Sequence, residues 1–488
     1  MDMQSFFAPF RNNIIGVDQT FCSPFGEKKI LYADWTASGR LYRPIEQQLI
    51  NKLGPLIGNT HTETNVTGTS MTLAYHKAHK IIKEHCNAGP EDVIINTGFG
   101  MTAAVNKFQR ILGMKIPEQF RDCIDTNVKC RPIVFVTHME HHSNQTSWEE
   151  TIAEVIVIPP GQDGNIDLNI VEETVKKHKD RLLKFGAFTA ASNVTGIPTP
   201  VHELAKIMHK YGGYCFIDYA ASAPYVDINM HPEDEDAKLD AIFFSPHKFL
   251  GGPGSSGVLI FDSALYKNKV PDQPGGGTVL WTNPWHGHHF IPDIELREDG
   301  GTPGFLQAIR AALAIKLKEQ MGVEQILQRE QAMVKRLFDG LRAIPNVHIL
   351  ADNIQDRLGI FSFYIHNLHF NLMVKLLNDM YGIQVRGGCS CAGTYGHYLL
   401  HVDPQRSKEM TDKIDHGDLS AKLGWVRLSV HPTMTDAEIE LILEAVRETL
   451  VHGKKWGDDY HYNPHTNEFT HKKDGGRIEK MVDSWFAD

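Results

Sequence analysis

The stretch 243-FFSPHKFLGGPGSSGVLIF-261 places a Ser-Pro-His-Lys cluster and a Gly/Pro-rich turn between two apolar, strand-like runs. Two readings are open. As a hairpin, AIFF and GVLIF are partner strands, Gly251, Gly252, Pro253 and Gly254 are turn chemistry, and Lys248 is an ordinary exposed side chain. As a site, the cluster closes a buried strand of an α/β sheet, where polar residues just past the strand ends line the ligand crevice.

Outward from that stretch the same texture repeats. DVIINTG, RPIVFVTH, AEVIVIPP, KFGAFTAAS, GYCFIDYA, AIFFSPH and GVLIF alternate with helical stretches such as VHELAKIMHKYG between about residues 90 and 260. Near-continuous apolar runs alternating with helices predict an α/β fold with a mostly parallel, seven-stranded sheet covered on both faces. The polar strand endings fall at 98–102, 138–144, 192–195, 218–222 and 245–248. After GGGT at 275–278 and EDGGTPG at 298–304, a long helical pattern leads into a second alternating region, which reads as a smaller α+β C-terminal domain. The expected organisation is an N-terminal arm (1–30), a large domain (31–304), a small domain (305–453) and a loosely structured tail (454–488).

Composition bounds the function. The 488 residues are 42% apolar and carry 49 basic against 59 acidic side chains, net −10, with no block of consecutive lysines and arginines. A small-molecule substrate is expected, and a phosphate-tracking nucleic-acid surface is not. No apolar run approaches the roughly 20 residues that span a bilayer, and the N-terminus lacks the basic-then-apolar pattern of a secretory signal, so no membrane role and a cytoplasmic location are expected. Seven cysteines, an odd number, read as reduced thiols, with Cys389 and Cys391 set apart behind a double glycine.

The strand ends carry a coherent chemistry. A lysine between apolar walls has its ammonium destabilised, and a neutral amine adds to an aldehyde to form a Schiff base, which Lys248 is placed to do. With pyridoxal 5'-phosphate (PLP) as that aldehyde, a carboxylate must keep the ring nitrogen protonated; Asp218, ending GYCFID, supplies it. The glycine-containing turn that opens TGFGMTAAVNKF sets the amides of Gly100, Met101 and Thr102 at a helix N-terminus suited to a phosphate dianion, with Thr102, Ser245 and His247 completing the cup.

These motifs, together with MEHHSN at 139–144, SNVTG at 192–196, IDYA at 217–220 and GGGT at 275–278, resemble the class V aminotransferase superfamily of fold-type I PLP-dependent transferases. Within it the sequence is most similar to the cysteine desulfurase and selenocysteine lyase group. The resemblance runs from YADWTASGR near residue 32 to VRLSVHPTMTDAEI near 439. It implies that Lys248 forms the Schiff base, Asp218 pairs with the ring nitrogen and His141 stacks on the ring. It also implies that Asn193 lies beside the ring hydroxyl and the substrate carboxylate, and that Thr278 reaches the phosphate of a neighbouring subunit in a homodimer.

VRGGCSCAGTYGHYLLH at 385–401 bears on the reaction. A desulfurase needs a thiolate on a flexible, partly exposed loop near cationic groups. Cys391 has Arg386 five residues before it, glycines at 387, 388 and 393, and His397 nearby. The Arg-to-Cys spacing resembles desulfurases with a short catalytic loop, and the Cys-x-Cys form resembles the desulfurase domain of molybdenum cofactor sulfurases; Cys391 is the expected nucleophile, with Cys389 a relay or a bystander. Inert packing of both thiols, or a metal site with His397 and His401, are the competing readings. Arg427 matches the family's carboxylate-binding arginine, and Arg386 joins it as an expected substrate contact. Ala221 stands where relatives commonly carry a glutamine or histidine. The histidine clusters around His76, His79 and WHGHHF (285–290) read as surface or packing residues.

Three functions follow in order: removal of sulfur or selenium from cysteine or selenocysteine through a Cys391 persulfide, with a possible sulfur-acceptor protein as partner; another class V PLP reaction (aminotransferase, epimerase or eliminating lyase) in which Cys391 is incidental; or a binding scaffold without catalysis.

Overall fold

Seven strands give the large sheet: β1 (Asp92–Thr97), β2 (Ile133–Thr137), β3 (Glu154–Ile158), β4 (Lys184–Thr189), β5 (Tyr214–Asp218), β6 (Ala241–Phe244) and β7 (Gly257–Asp262). They are the seven apolar runs read in the sequence. Every residue of β2, β4 and β6 is buried, as expected for strands covered on both faces. The spatial order is β1-β7-β6-β5-β4-β2-β3. All neighbours are parallel except β7, which runs antiparallel to both β6 and β1. The strand pairing of the hairpin reading of residues 243–261 is thus met, but Lys248 is half-buried rather than an ordinary exposed side chain. The structure, a computed structural model, describes residues 2–123 and 131–487.

Alternation along each strand divides the core. Ile94, Ile133, Phe135, Ile217, Ile242 and Ile260 enter one apolar cluster, whereas Val93, Ile95, Val134, Phe216, Phe243 and Leu259 enter the other, since successive side chains of a strand point to opposite faces. Helix α1 (Val66–His85) packs with α2 later in the chain on the first side; α2 here denotes Phe305–Met321. Its alanines 311, 312 and 314 are all buried in that first cluster. This packing holds α2 in the larger unit, residues 36–192 and 197–327, rather than opening the smaller domain as the 305 boundary expected.

The second unit comprises residues 2–35, 193–196 and 328–487 among those described. Its sheet is antiparallel, formed by β8 (Val347–Ile349), β9 (Ile360–Ile365), β10 (Arg386–Gly388) and β11 (Trp425–Ser429) in the order β8-β9-β11-β10. The N-terminal segment is part of this unit: Arg11 pairs with Glu438 at 2.7 Å, and Leu31–Tyr32 pairs in parallel with Ile383–Gln384. Residues 454–487, expected to be loosely structured, instead end a long helix (Asp436–Gly457), form a hairpin (Tyr460–Asn463 with Glu468–His471) and close on helix Arg477–Trp485. Tyr460 explains the order, because it is buried against Leu372 and Leu376 and donates its hydroxyl to Asp379 at 2.8 Å. Among the described residues no helix is long and apolar enough to cross a membrane.

Candidate functional site

In the larger unit the expected site residues gather where the strands end. β6 stops at Phe244, and residues 245–248 make one tight turn in which the Lys248 amide donates to the Ser245 carbonyl at 3.0 Å. The glycines that follow are sterically required: a Cβ on Gly252 would overlap the Pro246 carbonyl, and Gly251 has φ +79°. Lys248 is half-buried, and its charge is close enough to Asp218 to favour that carboxylate's ionised form. Asp218 itself, 3% exposed, is pushed up to about 6 by burial, against a 2.8 Å hydrogen bond from the Ala220 amide. A buried carboxylate held short of full ionisation suits a partner that carries a proton, such as a pyridinium nitrogen.

The phosphate cup is partly as expected. Helix Met101–Ile111 starts from Gly100 with no side-chain cap of its own. The Ser245 hydroxyl accepts from the Met101 amide at 2.9 Å, so that amide already has a partner. Thr102 lies 2.6 Å from the Ser143 hydroxyl, a residue the sequence reading had not singled out. A Cβ on Gly100 would stand 2.9 Å from both the His247 ring and the Ser245 hydroxyl, which leaves room there for a ligand oxygen but not for a methyl. His247 directs Nδ1 to the Phe99 carbonyl at 2.8 Å, and burial, then the charge of Lys248, hold it below the ordinary imidazole range. To donate from Nε2 it must gain a proton, which an adjacent dianion favours. These residues fit a phosphorylated, protonated-ring cofactor.

His141 caps the helix His142–Glu149, its Nδ1 accepting from the Ser143 amide at 3.1 Å. Next to it Glu140, fully buried, accepts from the Thr137 hydroxyl at 2.6 Å, the Thr189 amide at 3.0 Å and the Asn144 side chain at 2.8 Å. It ties the ends of β2 and β4 to the helix carrying His141, a role that no local motif marks. Thr278 is fully buried, and its hydroxyl donates to the Gly275 carbonyl at 2.7 Å within its own turn, so its reach to another subunit requires that bond to be exchanged.

The second unit holds the remaining expected residues. Asn193 donates to the Ser390 carbonyl at 2.7 Å, and Arg427 donates to the Asn193 carbonyl at 3.3 Å. Arg386 and Arg427 are register partners across β10 and β11. Both bind one carboxylate that the sequence reading missed, Asp34: Arg427 at 2.8 Å and Arg386 at 3.0 Å. Cys391 is exposed, at φ +56° after Ser390 at φ +54°, and lies within electrostatic reach of the Arg427 guanidinium. Burial lowers the Arg427 pKa, and Asp34 opposes that shift. Cys389 is less exposed than Cys391. His397 is engaged by the Gly393 carbonyl and the Ser407 hydroxyl, and among the described residues no group of three or more His, Cys, Asp or Glu is placed to hold a metal ion. Ala221 is buried in the turn after β5 beside Ser222, whose buried hydroxyl has no hydrogen-bond partner among the described residues.

Comparison with known proteins gives concordant matches. The family model for aminotransferase class-V matches residues 31–442. A probable cysteine desulfurase of Halalkalibacterium halodurans is 28% identical over 371 residues, 74% of this chain and 84% of that protein. A probable cysteine desulfurase of Staphylococcus aureus is 27% identical over 369 residues, 75% of this chain and 84% of that protein. Among solved structures, the cysteine desulfurase of Thermococcus onnurineus is similar with a TM-score of 0.71 at 23% identity, covering 91% of this chain and 98% of that one. One from Escherichia coli gives 0.69 at 20% identity, with the same coverage.

Proposed function

The chain belongs to the class-V aminotransferase family, and from that premise we propose that it is a PLP-dependent cysteine desulfurase-like enzyme acting on L-cysteine or selenocysteine. The observation that carries the reading is an exposed thiol, Cys391, on a strained turn within reach of the Arg427 guanidinium. A thiolate, not a thiol, is the nucleophile, and neighbouring cations favour it.

When bound, the cofactor supplies an aldehyde and a ring that accepts electrons. Lys248 is the amine that holds it and then takes the substrate's Cα proton. Asp218 would keep a proton at the ring nitrogen, His141 would pack against the ring, and Gly100, Thr102, Ser245 and His247 would receive the phosphate, joined by the Met101 amide on exchange of its bond to Ser245. Asn193, Arg386 and Arg427 orient the amino acid, fixing which Cα bond breaks. Cys391 Sγ attacks the substrate sulfur: an S–S bond forms as the Cβ–S bond breaks, the bonding pair stays with carbon, and protonation of that carbon together with return of a proton from Lys248 to Cα gives alanine. The persulfide left on Cys391 passes its outer sulfur to an acceptor, which we take to be a protein. A homodimer and a cytoplasmic setting complete the proposal, with Thr278 assigned to the neighbouring subunit's phosphate.

Replacing Cys391 by serine tests it. Sulfur release from L-cysteine should fall by about a hundredfold or more, read as sulfide in the presence of a reductant. Undiminished release by Cys391→Ser would transfer the reading to another class V reaction in which this thiol takes no part.

A further inference from the structure

Asp34 binds two arginines at once. It is 8% exposed and follows the strand Leu31–Tyr32, with a parallel bridge to Ser429. Its Oδ1 accepts from Arg427 Nη2 at 2.8 Å, and its Oδ2 accepts from Arg386 Nε and Nη2, both at 3.0 Å. Arg427 is 4% exposed, whereas the Arg386 side chain is 53% exposed. Two cations and one anion leave a single positive charge. Two further polar atoms in the cluster, Arg427 Nε and Asn193 Oδ1, are buried with no hydrogen-bond partner among the described residues. Buried polar atoms in that state are costly unless a ligand satisfies them.

We infer that Asp34 is a specificity-determining residue: by neutralising one of the two guanidiniums it tunes the clamp to amino acids with one carboxylate and disfavours those with a second anionic group. The inference rests on the proposed reading that this cluster receives an amino-acid carboxylate. A monoanion matches the one net positive charge. A dianion leaves an uncompensated negative charge beside Asp34, in a partly buried setting where screening is weak. Without the Asp34 charge the cluster carries two positive charges, and the penalty on the dianion disappears. A purely structural role makes a different prediction, because loosening Arg427 would weaken every carboxylate ligand alike.

Equilibrium binding of L-alanine and L-aspartate to the full chain, measured by calorimetry, separates the two. In Asp34→Asn the L-aspartate to L-alanine affinity ratio should rise about tenfold, and the rise should shrink as salt is added. In the double variant Asp34→Asn with Arg386→Gln, which restores one net positive charge, the ratio should return to within about twofold of the unmodified chain. Asp34→Glu, which keeps the charge on a longer arm, should retain the original ratio even where overall affinity falls. An unchanged ratio in Asp34→Asn, or a ratio that the double variant fails to restore, overturns the assignment. Sulfide release from L-cysteine is read separately: its absence from the unmodified chain sinks the desulfurase reading, while the ratio, which needs no turnover, still decides Asp34.

Discussion

Glu140 and Asp218 are buried carboxylates in one network, and their titration has a sign that can be measured. Burial pushes Glu140 up to about 7; its hydrogen-bond donors oppose that rise and the charge of Asp218 adds to it. Asp218 is raised to about 6. In the unfolded chain both groups revert to about 4. The folded state therefore retains protons that the unfolded state has lost, and stability falls as pH rises from about 4 through the two folded-state values. For Glu140 the loss is on the order of 4 kcal/mol once its carboxyl is fully ionised. Glu140→Gln removes that titration while keeping an acceptor for the Thr137 and Thr189 donors. Its melting temperature, measured without added cofactor, should change much less between about pH 5 and about pH 7 than that of the unmodified chain. Parallel curves for the two proteins would show that Glu140 is ionised throughout.

At the scale of elements, the entry to helix Met101–Ile111 is the clearest device, and it rests on a glycine for space rather than for backbone freedom. Gly100 has φ 165°, an extended value open to any residue, yet a Cβ there would press on His247 and Ser245 at 2.9 Å. Gly100→Ala should fold with an unchanged far-UV circular dichroism spectrum and bind PLP about tenfold more weakly in an absorbance titration. Retained affinity would remove Gly100 from the cup. The sheet around this helix was legible because its strands are buried on both faces, so each appears as an uninterrupted apolar run such as IVFVT. The strand-end residues were legible for the same reason, since a polar group directly after such a run has few other places to be. Asp34 was not, because its partners Arg386 and Arg427 lie 352 and 393 positions away and nothing local marks the pairing. The hairpin after residue 460 escaped because its strands, YHYN and EFTH, are short and mostly polar; only Tyr460, His471 and the long-range partner Asp379 betray the packing.

Across the whole molecule, the family match ends at residues 31 and 442, yet chain on either side of it is folded into the same unit. The hairpin Thr20–Ser23 with Gly26–Lys29 and the hairpin Tyr460–Asn463 with Glu468–His471 both lie outside the match. They meet: the Phe25 ring stands edge-on to His471 at 5.3 Å, and Phe25 and Phe469 pack on the same cluster as Leu372, Leu376 and Tyr460. The two flanks thus brace each other over helix Phe370–Tyr381, whose opposite end leads through Ile383–Gln384 to Arg386 and the Cys391 turn. Short hairpins are marginal alone and need a partner surface, so loss of one flank should loosen the other. Phe25→Ala, which deletes a large side chain from the shared cluster, should cost about 2–4 kcal/mol there and raise hydrogen exchange in the 460–471 amides. Amides of β2 and β4, in the larger unit, should exchange as before. Unaltered protection of residues 460–471 in Phe25→Ala would mean that the C-terminal hairpin is held by Tyr460 and Asp379 alone.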